Sequence, residues 1–227
     1  MVQFMVYRHT ETTEARLQDN RTRILKVARA LVSEGGWSAA QVANVAAAAG
    51  IATGTVYRYF ASKADLYAEV LSRVSQREVD VLQGIASGPD TALERLRAGI
   101  STFVQRAMLN PRLAYALIAE PCDREIDVVR LKYRGAISQV ILTMIEEGQS
   151  KHVMRDDIPA SIAATVIVGG FMEGLVGPLS PLNATTPDTG NERKQAIAML
   201  ARHIATLACS SVQPAAPTVR APSRRKK

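Results

Sequence analysis

The chain is poor in cysteine, with only Cys122 and Cys209 in 227 residues. Two thiols cannot build a disulfide scaffold at this size, so both are expected free in a reducing cytoplasm. Long apolar runs are missing too. The longest, Ile162–Met172, is far below the roughly 18 residues a membrane span needs, and no membrane association is expected. Met1–Tyr7 is apolar but short, without the basic start and cleavage site of a secretion signal. The three histidines, His9, His152 and His203, stand apart from one another and from both cysteines. No metal-ligand spacing results, and no metal is expected. G-x-S-x-G, P-loop and dinucleotide fingerprints are all absent. No catalytic residue and no cofactor is therefore expected, and the enzyme reading has nothing to stand on. Strand signals are also nearly lacking.

What is present is an ordinary globular composition, 47% hydrophobic and 22% charged, long enough for a sizeable core. The net charge of +7 suggests an acidic partner. Its distribution qualifies that hint. Residues 1–60 carry 7 basic and 4 acidic groups (+3), residues 61–87 carry 3 and 4 (−1). Residues 88–210 carry 13 and 13 (0), and residues 211–227 carry 5 and 0 (+5). Most of the excess sits in a Pro-, Ala- and Ser-rich tail expected to be disordered. Its Arg220 and Arg224–Lys227 either add nonspecific nucleic-acid affinity or do nothing.

Periodicity of 3.6 residues runs almost throughout and predicts an all-α fold of about nine helices. Ile24, Val27, Ala28 and Leu31 form one stripe, ended by Glu34-Gly35-Gly36. Ser38 with Gln41 reads as a capping box for a second helix, with Trp37 and Val42 as its staple. Gly50 supplies a left-handed stop, and Thr53 caps a very short third helix through Tyr59. Ser62 with Asp65 starts a fourth, running to about Ser87 and stopped by Gly88-Pro89. Further helices are expected over Asp90–Leu109, from Asn110-Pro111 to Pro121, over Asp123–Gln149, over Ile158–Val176 and over Glu192–Leu207. Ser180–Asn191 reads as a turn-rich loop.

Two short helices joined by a tight turn can seat the second in a major groove. Ala46 suits the crossing point, Gly50 the turn, and Val42, Val45 and Val56 the anchors. The stretch VANVAAAAGIATGTVYRYFASKADLYAEVL (Val42–Leu71) resembles the signature of TetR-type transcriptional regulators. The likeness includes the turn glycine, the Thr-Val-Tyr-x-Tyr-Phe segment and the Ser-Lys-x-x-Leu start of helix four; it is close over residues 21–71 only. Thr53 and Thr55 would place hydroxyls in the first turn of the recognition helix, where phosphate is also attracted. Ser38 would do the same at helix two, and Gly54 permits close backbone approach. By resemblance, Thr55, Tyr57, Tyr59 and Lys63 contact phosphates or base edges. Arg58 either reads guanine or is a solvated surface charge. Val56 and Phe60 are expected core.

Residues 1–20, with Arg8 and Arg16, read as a flexible arm that either reaches into a minor groove or is simply frayed, the latter being favoured. The resemblance implies a helix-turn-helix domain over residues 21–66 and an effector-binding and dimerisation domain over 67–210. Pocket candidates are Phe103, Leu113, Tyr115, Ile118, Tyr133, Ile137, Ile141, Met144 and Phe171, with Glu120, Arg130, Arg134 and Glu173 to orient a ligand. An arginine there favours a carboxylate or acyl-CoA effector. Ala163, Ala164, Gly169, Gly170 and Gly174, with Ala196, Met199, Leu200, His203 and Leu207 on the last helix, suit a homodimer interface or ordinary intrachain packing. The partners expected are operator DNA, a small-molecule effector and a second copy. Helix four belongs to both halves, so a ligand shifting its far end alters recognition-helix spacing. Such coupling is typically on the order of 1–3 kcal/mol. Repression with ligand-induced release is the expectation; a nonspecific nucleoid-type binder and a ligand-dependent activator are the alternatives.

Overall fold

A computed structural model describes residues 6–183 and 190–214, with backbone alone for residues 6–14. The described residues form nine α-helices. They are α1 (Val6–Gly35), α2 (Val42–Ala48), α3 (Thr53–Tyr57), α4 (Lys63–Ala86), α5 (Ala92–Leu109), α6 (Pro111–Ile118), α7 (Arg124–Ser150), α8 (Ala160–Leu179) and α9 (Gly190–Ser210). A single 3-10 turn covers Pro181–Asn183.

Local chemistry sets most boundaries. Gly50, at φ 65°, closes α2 with a Schellman pair: its N–H donates to Ala47 O and the Ile51 N–H to Ala46 O. The Ser62 hydroxyl accepts from the Asp65 N–H at 3.0 Å and starts α4. Thr91 and Glu94 form a full capping box at α5, which the sequence reading missed. Asn110 caps α6 by accepting from the Leu113 N–H, with Pro111 in the first turn.

Several expectations need correcting. Residues 6–20, read as part of a flexible arm, are the first half of α1. Ser38 caps no helix: its hydroxyl donates back to Gly35 O, and residues 37–40 are turns. Gln41, at ψ 144°, delays α2 to Val42. Thr53 is the first residue of α3 and Ala52 its cap, without a side-chain bond. The apolar run Ile162–Met172 is only part of α8, which is long and apolar enough to cross a membrane by composition, with mean hydropathy 1.7. Val212, placed in the tail, is buried, and its carbonyl accepts from the Arg155 N–H. The remaining tail residues, 215–227, including Arg220 and Arg224–Lys227, lie outside the described residues.

Two apolar clusters organise the helices. The first gathers Ile24, Ala28 and Val32 of α1, Val42, Val45 and Ala46 of α2, Val56, Phe60, and Leu66, Tyr67 and Val70 of α4. It also includes Leu113 and Ala116 of α6 and Ile126 and Tyr133 of α7. The head therefore has no core wholly its own. The second cluster joins α5, α8, α9 and the carboxyl-terminal half of α7.

Candidate nucleic-acid interface and effector cavity

Val56 of α3 and Phe60, three residues past its end, are buried and face inward, which fixes which residues of α3 face out. Thr53, Gly54, Tyr57 and Arg58 are exposed, and Thr55 is half-buried. Tyr57 is 50% exposed, a large aromatic presented to solvent. Hydroxyls, a phenol and a guanidinium thus converge on one five-residue helix and its first following residue. Ser38 is exposed in the turn before α2.

Two predicted contacts are engaged within the chain instead. Tyr59 is half-buried, and its hydroxyl accepts from Asn20 Nδ2 of α1 at 3.1 Å. The Lys63 ammonium pairs with Asp123 at 3.1 Å and lies 5.7 Å from the Tyr67 ring centre. Lys63 therefore ties the start of α4 to the start of α7.

A polar clamp, unseen in the sequence reading, joins the head to α6. Trp37 Nε1 donates to Ala116 O at 2.9 Å, and the Tyr67 hydroxyl donates to Trp37 O at 2.8 Å. The two rings lie 4.7 Å apart. Arg112 holds both oxygens of Glu120 and also donates to Gly35 O at 2.9 Å. The Trp37 N–H donates to Glu120 at 3.3 Å. Gly36, at φ 75°, makes this possible, because a Cβ there would sit 1.5 Å from Arg112 Nη2. Burial, helped by the nearby Cys122, Asp123 and Glu120, pushes the Tyr67 phenol up to about 12. From the far side of α6, Arg130 donates to Ala116 O at 2.7 Å and Leu117 O at 3.0 Å, capping the helix end.

Directly behind this clamp lies a cavity of about 270 Å³, bounded by α4, α5, α6 and α7 with Arg29 from α1 and Met172 from α8. Of the predicted members, Phe103, Leu113, Ile118, Arg130, Tyr133, Arg134 and Ile137 line it. The others do not. Glu120 is committed to the clamp, and Tyr115 lies beneath the Arg112 guanidinium, 6.0 Å from its ring centre. Ile141 and Met144 are packed in the second core. Phe171 meets Phe103 edge-on at 5.1 Å, behind the wall rather than in it. Glu173 points outward from α8. Leu71, Val74 and Leu117 add apolar lining, and Arg29, Arg106 and Glu78 add charge. Arg106 is held by both oxygens of Glu78, whereas Arg134 makes only a long 3.4 Å contact to Ile118 O. Arg29 and Arg106 escaped the sequence reading because each lies on the polar face of an amphipathic helix, where a solvated charge is the usual outcome.

On the exposed side of α8, Ile162 and Val166 are 56% and 62% exposed, one turn apart, with Gly169 and Gly170 following. Met199 and Leu207 of α9 are 56% and 74% exposed. They extend the apolar stripe.

An all-helical chain with a tight helix-turn-helix head and a cavity-bearing helical body is the class this arrangement defines. Residues 24–70 match the family model described as "Bacterial regulatory proteins, tetR family". The HTH-type transcriptional repressor KstR of Mycolicibacterium smegmatis is 32% identical over 117 residues, covering 52% of this chain and 57% of that protein. The chain thus spans about half the length of the KstR relatives it matches. The HTH-type transcriptional regulator AcrR of Shigella flexneri is 28% identical over 173 residues, covering 72% of this chain and 80% of that protein. In fold, the transcriptional regulator FadR from Bacillus subtilis, solved in complex with stearoyl-CoA, superposes with a TM-score of 0.70 at 20% identity, covering 85% of this chain and 99% of that one.

Proposed function

We propose that the protein is a sequence-specific DNA-binding transcriptional regulator, a repressor that leaves its operator when a small molecule fills the cavity. The observation that carries this reading is the outward array Thr53, Gly54, Thr55, Tyr57 and Arg58, backed by the buried Val56 and Phe60. Helix N-terminal hydroxyls and backbone N–H groups suit phosphates, and a guanidinium suits the two acceptors of guanine. Ser38 stands beside them, while Tyr59 and Lys63 contribute to binding only by exchanging Asn20 and Asp123 for phosphate. The regulator acts in the cytoplasm, without catalysis, cofactor or membrane.

The apolar stripe over α8 and α9 supports a homodimer. Gly169 and Gly170 have open space where a Cβ would be, so a second helix can approach closely. A dimer also accounts for the high hydropathy of α8 without a bilayer. Two-fold symmetry sets two recognition helices about one DNA turn apart.

The cavity favours an apolar effector with an anionic end: aliphatic and aromatic walls, with Arg29 and Arg134 free of carboxylate partners among the described residues. The fold shared with a regulator solved with stearoyl-CoA is consistent with an acyl chain. A nuclease footprint on the DNA upstream of the protein's own gene tests the whole reading. It should show a two-fold symmetric protected site that disappears on adding an acyl effector and needs more protein to form with Arg58→Ala. Uniform protection along the fragment would refute specific regulation.

A further inference from the structure

A second depression, of about 200 Å³, runs along the outer seam between α1 and α4 and shares Arg29 and Val74 with the cavity. Its floor is apolar, from Leu25, Val70 and Val74. Its rim carries Thr22 and four cations, Lys26 and Arg29 from α1 and Arg73 and Arg77 from α4, with no carboxylate in the lining. Among the described residues only Arg73 has an acidic partner, Glu69 at 3.1 Å.

On α4 this segregation is not a by-product of a basic region, because residues 61–87 carry 3 basic and 4 acidic groups, whereas residues 21–33 of α1 hold Arg21, Arg23, Lys26 and Arg29 and no acid. Of the four acids of α4, Glu69 pairs with Arg73 on the rim and with Arg21 of α1, whereas Glu78 holds Arg106, Asp80 accepts from Gln76, and Asp65 lies in the first turn of α4. Like charges at i, i+4, such as Arg73 and Arg77, repel on a helix surface. Helix stability alone gives no reason to gather four cations around a recess. A polyanion would relieve the repulsion and take charge-assisted hydrogen bonds from several guanidinium groups at once. Operator phosphates are poorly placed to be that anion, since Arg73 stands ten residues, about 15 Å of helix, beyond Lys63.

We infer that the groove between α1 and α4 is the headgroup site for a phosphorylated amphiphile whose chain occupies the cavity. The effector then crosses the head–body junction, with its tail among α5, α6 and α7 and its phosphates on the two long helices of the DNA-binding head. Arg29 and Val74, common to both recesses, set the two side by side. This inference rests on the cavity being the effector site and adds the chemical class of the headgroup and where it sits. Binding in this position holds the head at one angle to the body, a direct route from ligand to recognition-helix spacing.

The test titrates the full chain with dodecanoate, dodecyl phosphate and dodecanoyl-CoA, followed by calorimetry, for the natural sequence and for the double variant Lys26→Ala, Arg77→Ala. At least one phosphorylated probe should bind about tenfold or more tighter than dodecanoate, and the variant should lose that gain while keeping its affinity for dodecanoate. The gain belonging to dodecyl phosphate identifies a single phosphate as sufficient; a gain confined to dodecanoyl-CoA identifies a larger polyanion. Equal affinity for all three probes overturns the headgroup site, as does a gain that survives the double substitution. If the variant keeps the gain but loses affinity for the upstream promoter fragment, the groove is a DNA contact and the inference fails. If no probe binds while promoter binding is intact, the acyl-effector reading falls together with it, an outcome separable from failure of the headgroup site alone.

Discussion

Gly36 and Gly50 are the two positive-φ glycines of the described residues, at 75° and 65°, and they make a controlled experiment on the junction between head and body. Alanine at either position meets left-handed backbone strain of about 1–2 kcal/mol. At Gly50 nothing lies within 4 Å of the new Cβ, so strain is the whole cost. At Gly36 the Cβ would fall 1.5 Å from Arg112 Nη2 and 2.6 Å from Glu120 Oε2. The guanidinium is the end of a flexible side chain and can swing away, but only by leaving Gly35 O and Glu120. Losing hydrogen bonds to a charged, partly buried group adds about 1.5–3 kcal/mol. Gly36→Ala should therefore cost about 2.5–5 kcal/mol in all, against about 1–2 for Gly50→Ala. In a chain of this length that lowers the midpoint by roughly 10 °C. Urea unfolding followed by Trp37 fluorescence is the assay, since Trp37 is the single tryptophan and sits in the clamp. In an Arg112→Ala background the Gly36 substitution should shrink to the strain alone. Equal costs at Gly36 and Gly50, or an unchanged Gly36 cost without Arg112, would refute the clamp.

Tyr67→Phe should lose about 1 kcal/mol with the bond to Trp37 O. Because folding raises the Tyr67 phenol to about 12, from an ordinary value near 10, the natural protein should lose stability as pH climbs through that window, and the phenylalanine variant should lose less; parallel urea midpoints at pH 9 and 11 check the sign. Val166→Glu on α8 should convert a dimer to monomers in light scattering, and an unaltered mass would remove α8 from the interface. Arg58→Ala should weaken operator binding by about 1–3 kcal/mol and relax preference at one base position, whereas Tyr57→Phe should weaken binding evenly across sequences. A selection of bound sequences from a randomised pool separates the two.

Features written in neighbouring residues are legible in the sequence alone. The Gly50 stop, the Ser62 cap, the Asn110-Pro111 start and the inward Val56 and Phe60 all follow from spacing a few residues wide. Features that depend on partners far along the chain are not. Ser38 and Gln41 fit a capping box in text, yet Trp37 is drawn to Tyr67 and Glu120, 30 and 83 positions away, and the turn tightens before α2 can begin. Glu120 looked like a pocket acid for the same reason: its partner Arg112, eight residues back, also had to meet the end of α1. Lys63 carries a family motif, but its partner Asp123 lies sixty residues on. Cationic residues such as Arg29 and Lys26 read as solvated until the packing of α1 on α4 set them around one recess.

Binding of the full chain to its own upstream promoter fragment and to shuffled DNA of equal length, across a salt series, tests the central claim most directly. Specific reading by Thr55, Tyr57 and Arg58 predicts a preference on the order of 10³ or more for the promoter, persisting as salt rises and reduced with Arg58→Ala. Equal affinity for both DNAs, with the same steep fall in salt, would mean that charge alone holds the protein on DNA, contradicting the account.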